Sequence, residues 1–179
     1  MEGTAVKTTL LLLLLTAAQA GFAFEGDYVW DERFKDTLSK ASSGTAADRY
    51  TLGEMYLNGR GTPQAPSEAL AWFLKAAKQG HIKAAYRAGQ LYLRGEGTAR
   101  SLPDALSWLK RAADAGYAPA QYELGRFYIS DDTEKPENSL ALFWLGKAKK
   151  NGYRPAEEAF AELVRRMVQV QKAGGAPSQ

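Results

Sequence analysis

The chain has 179 residues, with 23 basic against 20 acidic side chains, a net charge of +3, one histidine and no cysteine. Disulfides, thiolate metal sites and a cysteine nucleophile are therefore excluded. A charge this small and this evenly interspersed gives no electrostatic ground for binding nucleic acid or an anionic membrane surface.

In chain order, residues 1–20 read as a secretory signal peptide. Lys7 precedes an apolar run over 8–18, and Ala18-Gln19-Ala20 supplies a cleavage site, with a second possible cut after Ala23. The run is well short of the roughly 20 residues a bilayer span needs, so no stable membrane insertion is expected after cleavage. The expected location is the periplasm, or outside the cell, where a chain without cysteine meets an oxidising compartment without using its chemistry. Segment 21–47 follows, with the aromatic residues Phe22, Phe24, Tyr28 and Trp30. After them the spacing of Phe34, Leu38 and Ala41 predicts a capping helix over 31–43. The aromatic stretch reads either as part of that cap or as a docking segment.

From residue 48 three landmarks recur at a 36-residue step: Gly53, Gly89 and Gly125; Trp72, Trp108 and Trp144; Gly80, Gly116 and Gly152. Three independent markers on one period indicate an array of one supersecondary unit. The units fall at 48–83, 84–119 and 120–155. In each, the first helix carries apolar residues at the positions of Leu52, Met55 and Tyr56, which share one face at helical spacing. Glycine inside a helix costs about 1 kcal/mol against alanine, so its return at 53, 89 and 125 implies close approach of the paired helix. Gly59-Arg60-Gly61 and Gly95-Glu96-Gly97 read as left-handed turns ending the first helices, not as a phosphate cradle, since no lysine and no strand-to-helix setting accompany them. Second helices are predicted over 68–79, 104–115 and 139–151, each closed by a glycine. Stepping back from Gly80 reaches Gly44, which places the capping helix 31–43 in register with a second helix. The third unit departs from the pattern. Its turn is the acidic stretch 130–135, and Lys149 stands where the others have Ala77 and Ala113. Residues 156–172 form a C-terminal capping helix, with Phe160, Leu163, Val164 and Met167 covering the last unit. Residues 173–179, rich in Gly, Pro and Ser, read as a disordered tail.

The stretches Tyr50-Thr51-Leu52-Gly53-Glu54-Met55-Tyr56-Leu57-Asn58-Gly59-Arg60-Gly61 and Ala69-Leu70-Ala71-Trp72-Phe73-Leu74-Lys75-Ala76-Ala77-Lys78-Gln79-Gly80 resemble the Sel1-like repeat, a relative of the tetratricopeptide repeat. The resemblance covers 48–156. It implies an all-α fold, an α/α right-handed superhelix of three 36-residue helix-turn-helix repeats with helical caps, acting as a protein-interaction scaffold. In related superhelices the other face of the first helices lines a concave groove. Here that face holds Tyr50, Glu54, Leu57 and Asn58, then Tyr86, Gln90, Leu93 and Arg94, then Tyr122, Arg126 and Ile129. Tyrosine and arginine are favoured at binding hot spots, although tyrosine there also stacks between neighbouring units.

Nothing in the chain assembles into chemistry. His81, directly after Gly80, has no nucleophile to serve and reads as a surface residue of an inter-repeat turn. No catalytic residue, cofactor or metal site is expected, the acidic turn 130–135 being a weak candidate for a cation. The expected function is that of a non-enzymatic periplasmic adaptor holding a protein or peptide of the cell envelope. Binding of peptidoglycan or an exported polysaccharide is one alternative, and a structural place in a larger envelope machine, such as a flagellar motor ring, is another.

Overall fold

The computed structural model describes residues 31–129 and 137–174, and among the described residues there are eight α-helices and no strand. They are α1 (Glu32–Ser43), α2 (Ala46–Asn58), α3 (Pro66–Lys78), α4 (Ile82–Arg94), α5 (Leu102–Asp114), α6 (Ala118–Phe127), α7 (Asn138–Lys150) and α8 (Arg154–Gly174). Each packs mainly on its neighbours in sequence, most closely within the pairs α2/α3, α4/α5 and α6/α7, which gives an α/α superhelix. Residues 1–20, expected as a signal peptide, the aromatic segment 22–30 and the acidic stretch 130–135 lie outside the described residues.

Local chemistry sets the helix starts. Thr45 and Asp48 form a reciprocal capping box, the Thr45 hydroxyl accepting from Asp48 N–H and the Asp48 carboxylate accepting from Thr45 N–H at 2.8 Å. Ser101 caps α5, and Pro66, Pro103 and Pro119 sit in first turns, where no amide donor is missed. The second helices begin at 66, 102 and 138, one or two residues earlier than the sequence suggested, because those first-turn residues are already helical. Their ends are uniform. His81, Tyr117 and Tyr153 donate N–H to the carbonyls of Ala76, Ala112 and Ala148, around a left-handed glycine at 80, 116 and 152. Gly44 differs: its φ of −90° is extended, since the capping box of α2 starts at once. The first-to-second turns also repeat one bond, from Ala65, Ser101 and Glu137 N–H to the carbonyls of Tyr56, Tyr92 and Tyr128. The same bond thus joins the described residues on either side of the third unit's acidic stretch.

The glycines at 53, 89 and 125 sit where expected. A Cβ on Gly53 would lie 2.6 Å from the Phe73 ring, on Gly89 2.7 Å from Leu109 Cγ, and on Gly125 2.6 Å from Leu145 Cγ. Phe73, Leu109 and Leu145 are themselves fully buried, so these contacts fix the helix separation in each pair. Trp72 and Trp144 are buried while Trp108 is half-buried, and each has a cation over its ring in the same register: Lys75, Arg111 and Lys147.

At the ends, α1 buries Phe34 and Ala41 on the first unit, and α8 buries Ala156 and Leu163 on the last, with Phe160 and Met167 half-buried. Two C-terminal expectations need correction. Val164 is 38% exposed, because no described helix packs on the face that carries it. The helix also continues to Gly174, two residues into the stretch expected to be disordered. Lys149 is exposed, its ammonium over the Phe160 ring, where Ala77 and Ala113 are buried.

Candidate functional site

The first-helix face is occupied by its own neighbours at the first two steps of the array. Tyr50 is half-buried, with its ring stacked on that of His81 at 4.5 Å and 20°. Tyr86 meets Tyr117 edge-on at 5.1 Å, and Tyr122 meets Tyr153 at 5.3 Å. His81, Tyr117 and Tyr153 lie 36 residues apart, each directly after the closing glycine of a second helix. His81 is thus not a free surface residue. It is half-buried, its Nδ1 accepts from Ala84 N–H at 3.1 Å, and it caps α4. Burial, and then the charge of Lys83, hold its pKa below the usual imidazole value. The sequence signal for this set was available in the 36-residue step, but a histidine among tyrosines concealed it.

The polar residues of the same face pair across the units. Arg87 of α4 reaches back to Glu54 of α2, its Nε 2.9 Å from Oε1 and its Nη2 3.3 Å from Oε2. Oε1 is buried and lies off the N–H directions, so that contact is an ion pair rather than an aligned hydrogen bond. Arg87 also donates to Gln90 Oε1 at 3.4 Å, and Gln90 Nε2 donates to the Tyr86 hydroxyl at 2.7 Å. Burial, with the nearby charge of Glu123, pushes the Tyr86 phenol up to about 12. Burial, followed by Glu54, raises Tyr50 as well. Asn58 is exposed and donates to the Glu54 carbonyl at 2.7 Å, while Arg94 is exposed and lies 3.6 Å from Glu96.

The third step is different. Residues 87, 123 and 159 share one register, and where the first two steps carry Arg87 and Glu123, the third carries Ala159. A shallow open recess of about 170 Å³ stands there, lined by Tyr122, Arg126, Ile129, Ala159, Glu162, Leu163 and Arg166. Tyr122 and Leu163 form apolar wall, and Arg126 holds its guanidinium 5.9 Å from the Tyr122 ring. Glu162 is paired with Arg166 at 3.1 Å and with Arg165 at 3.5 Å, whereas Arg126 makes no ion pair among the described residues. Of the eight residues singled out on this face, the structure therefore gathers Tyr122 and Arg126 at an open site. It ties Tyr50, Glu54, Tyr86 and Gln90 into inter-unit contacts and leaves Asn58 and Arg94 at the exposed edge. The residues missed are Ala159, Glu162, Leu163 and Arg166, all contributed by α8. Among the described residues no group of three His, Asp or Glu side chains is placed to hold a metal ion, and no helix is long and apolar enough to cross a membrane.

The Sel1 repeat profile matches the chain three times, at 49–81, 82–117 and 118–153. These matches take in more than half of the chain, which belongs to the Sel1 repeat family. Among solved structures, a Sel1 repeat protein from Oxalobacter formigenes is 34% identical, with a TM-score of 0.63, over 73% of this chain and 98% of its own. The protein c5321, a protective antigen present in uropathogenic Escherichia coli strains and displaying an SLR fold, is 25% identical with a TM-score of 0.70 over 74% of this chain. The present chain spans 29% of that antigen's length. No curated relative matches. Sel1 repeats serve as protein–protein interaction modules, a non-catalytic fold.

Proposed function

We propose that this chain is an exported, non-enzymatic adaptor of the cell envelope that holds a segment of a partner protein at the third step of its first-helix groove. The observation that carries the reading is the recess at Ala159, beside an arginine that makes no ion pair among the described residues. Ile129 and Leu163 suit an apolar side chain, and Arg126 suits a carboxylate on the same segment, the pairing of apolar anchor and charge that recurs at binding hot spots. Export rests on the sequence of residues 1–20. Sugar stacking draws less support, because the rings of Tyr50 and Tyr86 already face His81 and Tyr117.

The test fills the recess with the side chain the array itself uses one step earlier. Ala159→Glu reproduces Glu123 of the second step, and the fold is expected to keep its helix content and melting temperature. Envelope proteins crosslinked to the native chain in intact cells should then be lost from Ala159→Glu. They should be retained by Ser107→Glu, a change on the exposed side of α5. The same crosslinked set from both variants would refute the site.

A further inference from the structure

The two ends of the array are finished differently. α1 stands in register with α3, yet where α3 buries Ala69, Phe73 and Ala76, α1 carries Arg33, Thr37 and Lys40, with Arg33 and Lys40 exposed. These positions of α1 are thus polar where their counterparts in α3 are apolar. α8 stands in register with a first helix and is the last helix among the described residues. Ala161 falls in register with Gly53, Gly89 and Gly125, and Val164 with Tyr56, Tyr92 and Tyr128. In α8 this face is open: Ala161 is exposed, Val164 is 38% exposed and Val168 44%. α8 also has 21 residues against 13 in α2 and α4, so the open face is longer than that of any preceding first helix.

Glu157, Ala161, Val164, Val168 and Lys172 follow one another at steps of four, three, four and four residues, which makes a single stripe along α8. Its centre is apolar, its N-terminal end carries a carboxylate and its C-terminal end an ammonium. We infer that this stripe is the contact surface for a second copy of the chain, two α8 helices packing antiparallel about a two-fold axis near Val164. That arrangement sets Glu157 opposite the partner's Lys172 and the small Ala161 opposite the partner's Val168, and both contacts occur twice by symmetry. Parallel pairing would put Glu157 against its own copy and Lys172 against its own copy, which repels. Stacking α8 on the α1 of a second copy would press Arg33 and Lys40 onto Ala161 and Val164, desolvating two cations against apolar carbon. The two-fold antiparallel pair is the arrangement free of both penalties. So narrow a stripe falls below the roughly 1,200 Å² typical of stable interfaces, which makes the dimer reversible and concentration-dependent. The stripe lies on the opposite side of α8 from Glu162, Leu163 and Arg166, so both recesses stay open in the dimer and the two proposals stand or fall separately.

Sedimentation equilibrium of the chain is expected to fit a monomer–dimer equilibrium. Val164→Glu combined with Val168→Glu should abolish the dimer while leaving the thermal melt of the dilute monomer unchanged. Because the chain has no cysteine, orientation is read by mixing an Ala161→Cys chain with a Val168→Cys chain under oxidation. The mixed crosslinked dimer is expected in preference to either homodimer. A chain that stays monomeric at every concentration, a dimer that survives the double valine variant, or preferential homodimer crosslinks would each overturn the inference.

Discussion

Gly89→Ala and Gly146→Ala make the same chemical change in the interior of two helices of one array, and they should act in opposite directions. Both glycines lie inside helices, α4 and α7, and neither has a positive φ. Alanine therefore gains about 1 kcal/mol of helix propensity at each. At Gly146 the new methyl meets only Phe160 Cε2 at 3.6 Å, an ordinary contact, so the gain is kept and the variant is stabilised by up to about 1 kcal/mol. At Gly89 the methyl lies 2.7 Å from Leu109 Cγ and 3.2 Å from the Ala105 carbonyl oxygen. Leu109 is 1% exposed and has no solvent to turn into, and the carbonyl belongs to the facing backbone, so α4 and α5 must part. Overpacking of this kind costs about 1–3 kcal/mol. Propensity cancels between the two variants, so their stabilities should differ by the overpacking cost, roughly 2–12 °C in melting temperature at about 2–4 °C per kcal/mol. Thermal and urea melts followed by circular dichroism measure it. If Gly89→Ala were as stable as Gly146→Ala, close approach would not be the reason for the repeated glycine.

Two further tests address the first-helix face. The Glu54–Arg87 contact bridges two units, and a double-mutant cycle with Glu54→Gln and Arg87→Met should show a coupling of about 1–2 kcal/mol, between the exposed and buried limits, that shrinks in high salt. A coupling indistinguishable from zero would mean that the pair only decorates the inter-unit step. His81 has a folded pKa below its unfolded value, so the unfolded chain binds more protons as pH falls through about 6.5. Its contribution is complete above that pH and is lost as pH falls through the lower folded pKa, because protonated Nδ1 no longer accepts from Ala84 N–H. His81→Tyr restores the residue type of positions 117 and 153 and should flatten the melting temperature between neutral and mildly acidic pH; an unchanged slope would remove His81 as its source.

The period of the array was legible because the residues that mark it are packed against a partner in the same unit. Gly53 announces Phe73, and the 36-residue step announces both in every unit. What faces the next unit was less legible. Tyr50 pairs with His81 and Glu54 with Arg87, at separations that depend on how two units lean together, and one of the three ring partners is a histidine while the others are tyrosines. The recess was not legible at all from residues chosen for what they can bind. Its cause is a missing side chain at Ala159, visible only by stepping from Arg87 to Glu123 and on, and four of its seven lining residues come from a helix read in advance as a cap.

A strictly regular array presents the same surface at every step and so has little means of choosing a register for a bound segment. Here the regular steps are closed by the chain's own contacts. A ligand competing for Tyr50, Glu54, Tyr86 or Gln90 must first break the Glu54–Arg87 pair or the Gln90–Tyr86 hydrogen bond, leaving half-buried polar groups without partners, each a loss of about 1–3 kcal/mol. No such contact stands at the third step among the described residues, where Ala159 offers nothing to displace and Arg126 makes no ion pair. Recognition is therefore expected where the repeat fails, and the residue that decides it is the smallest one in the recess.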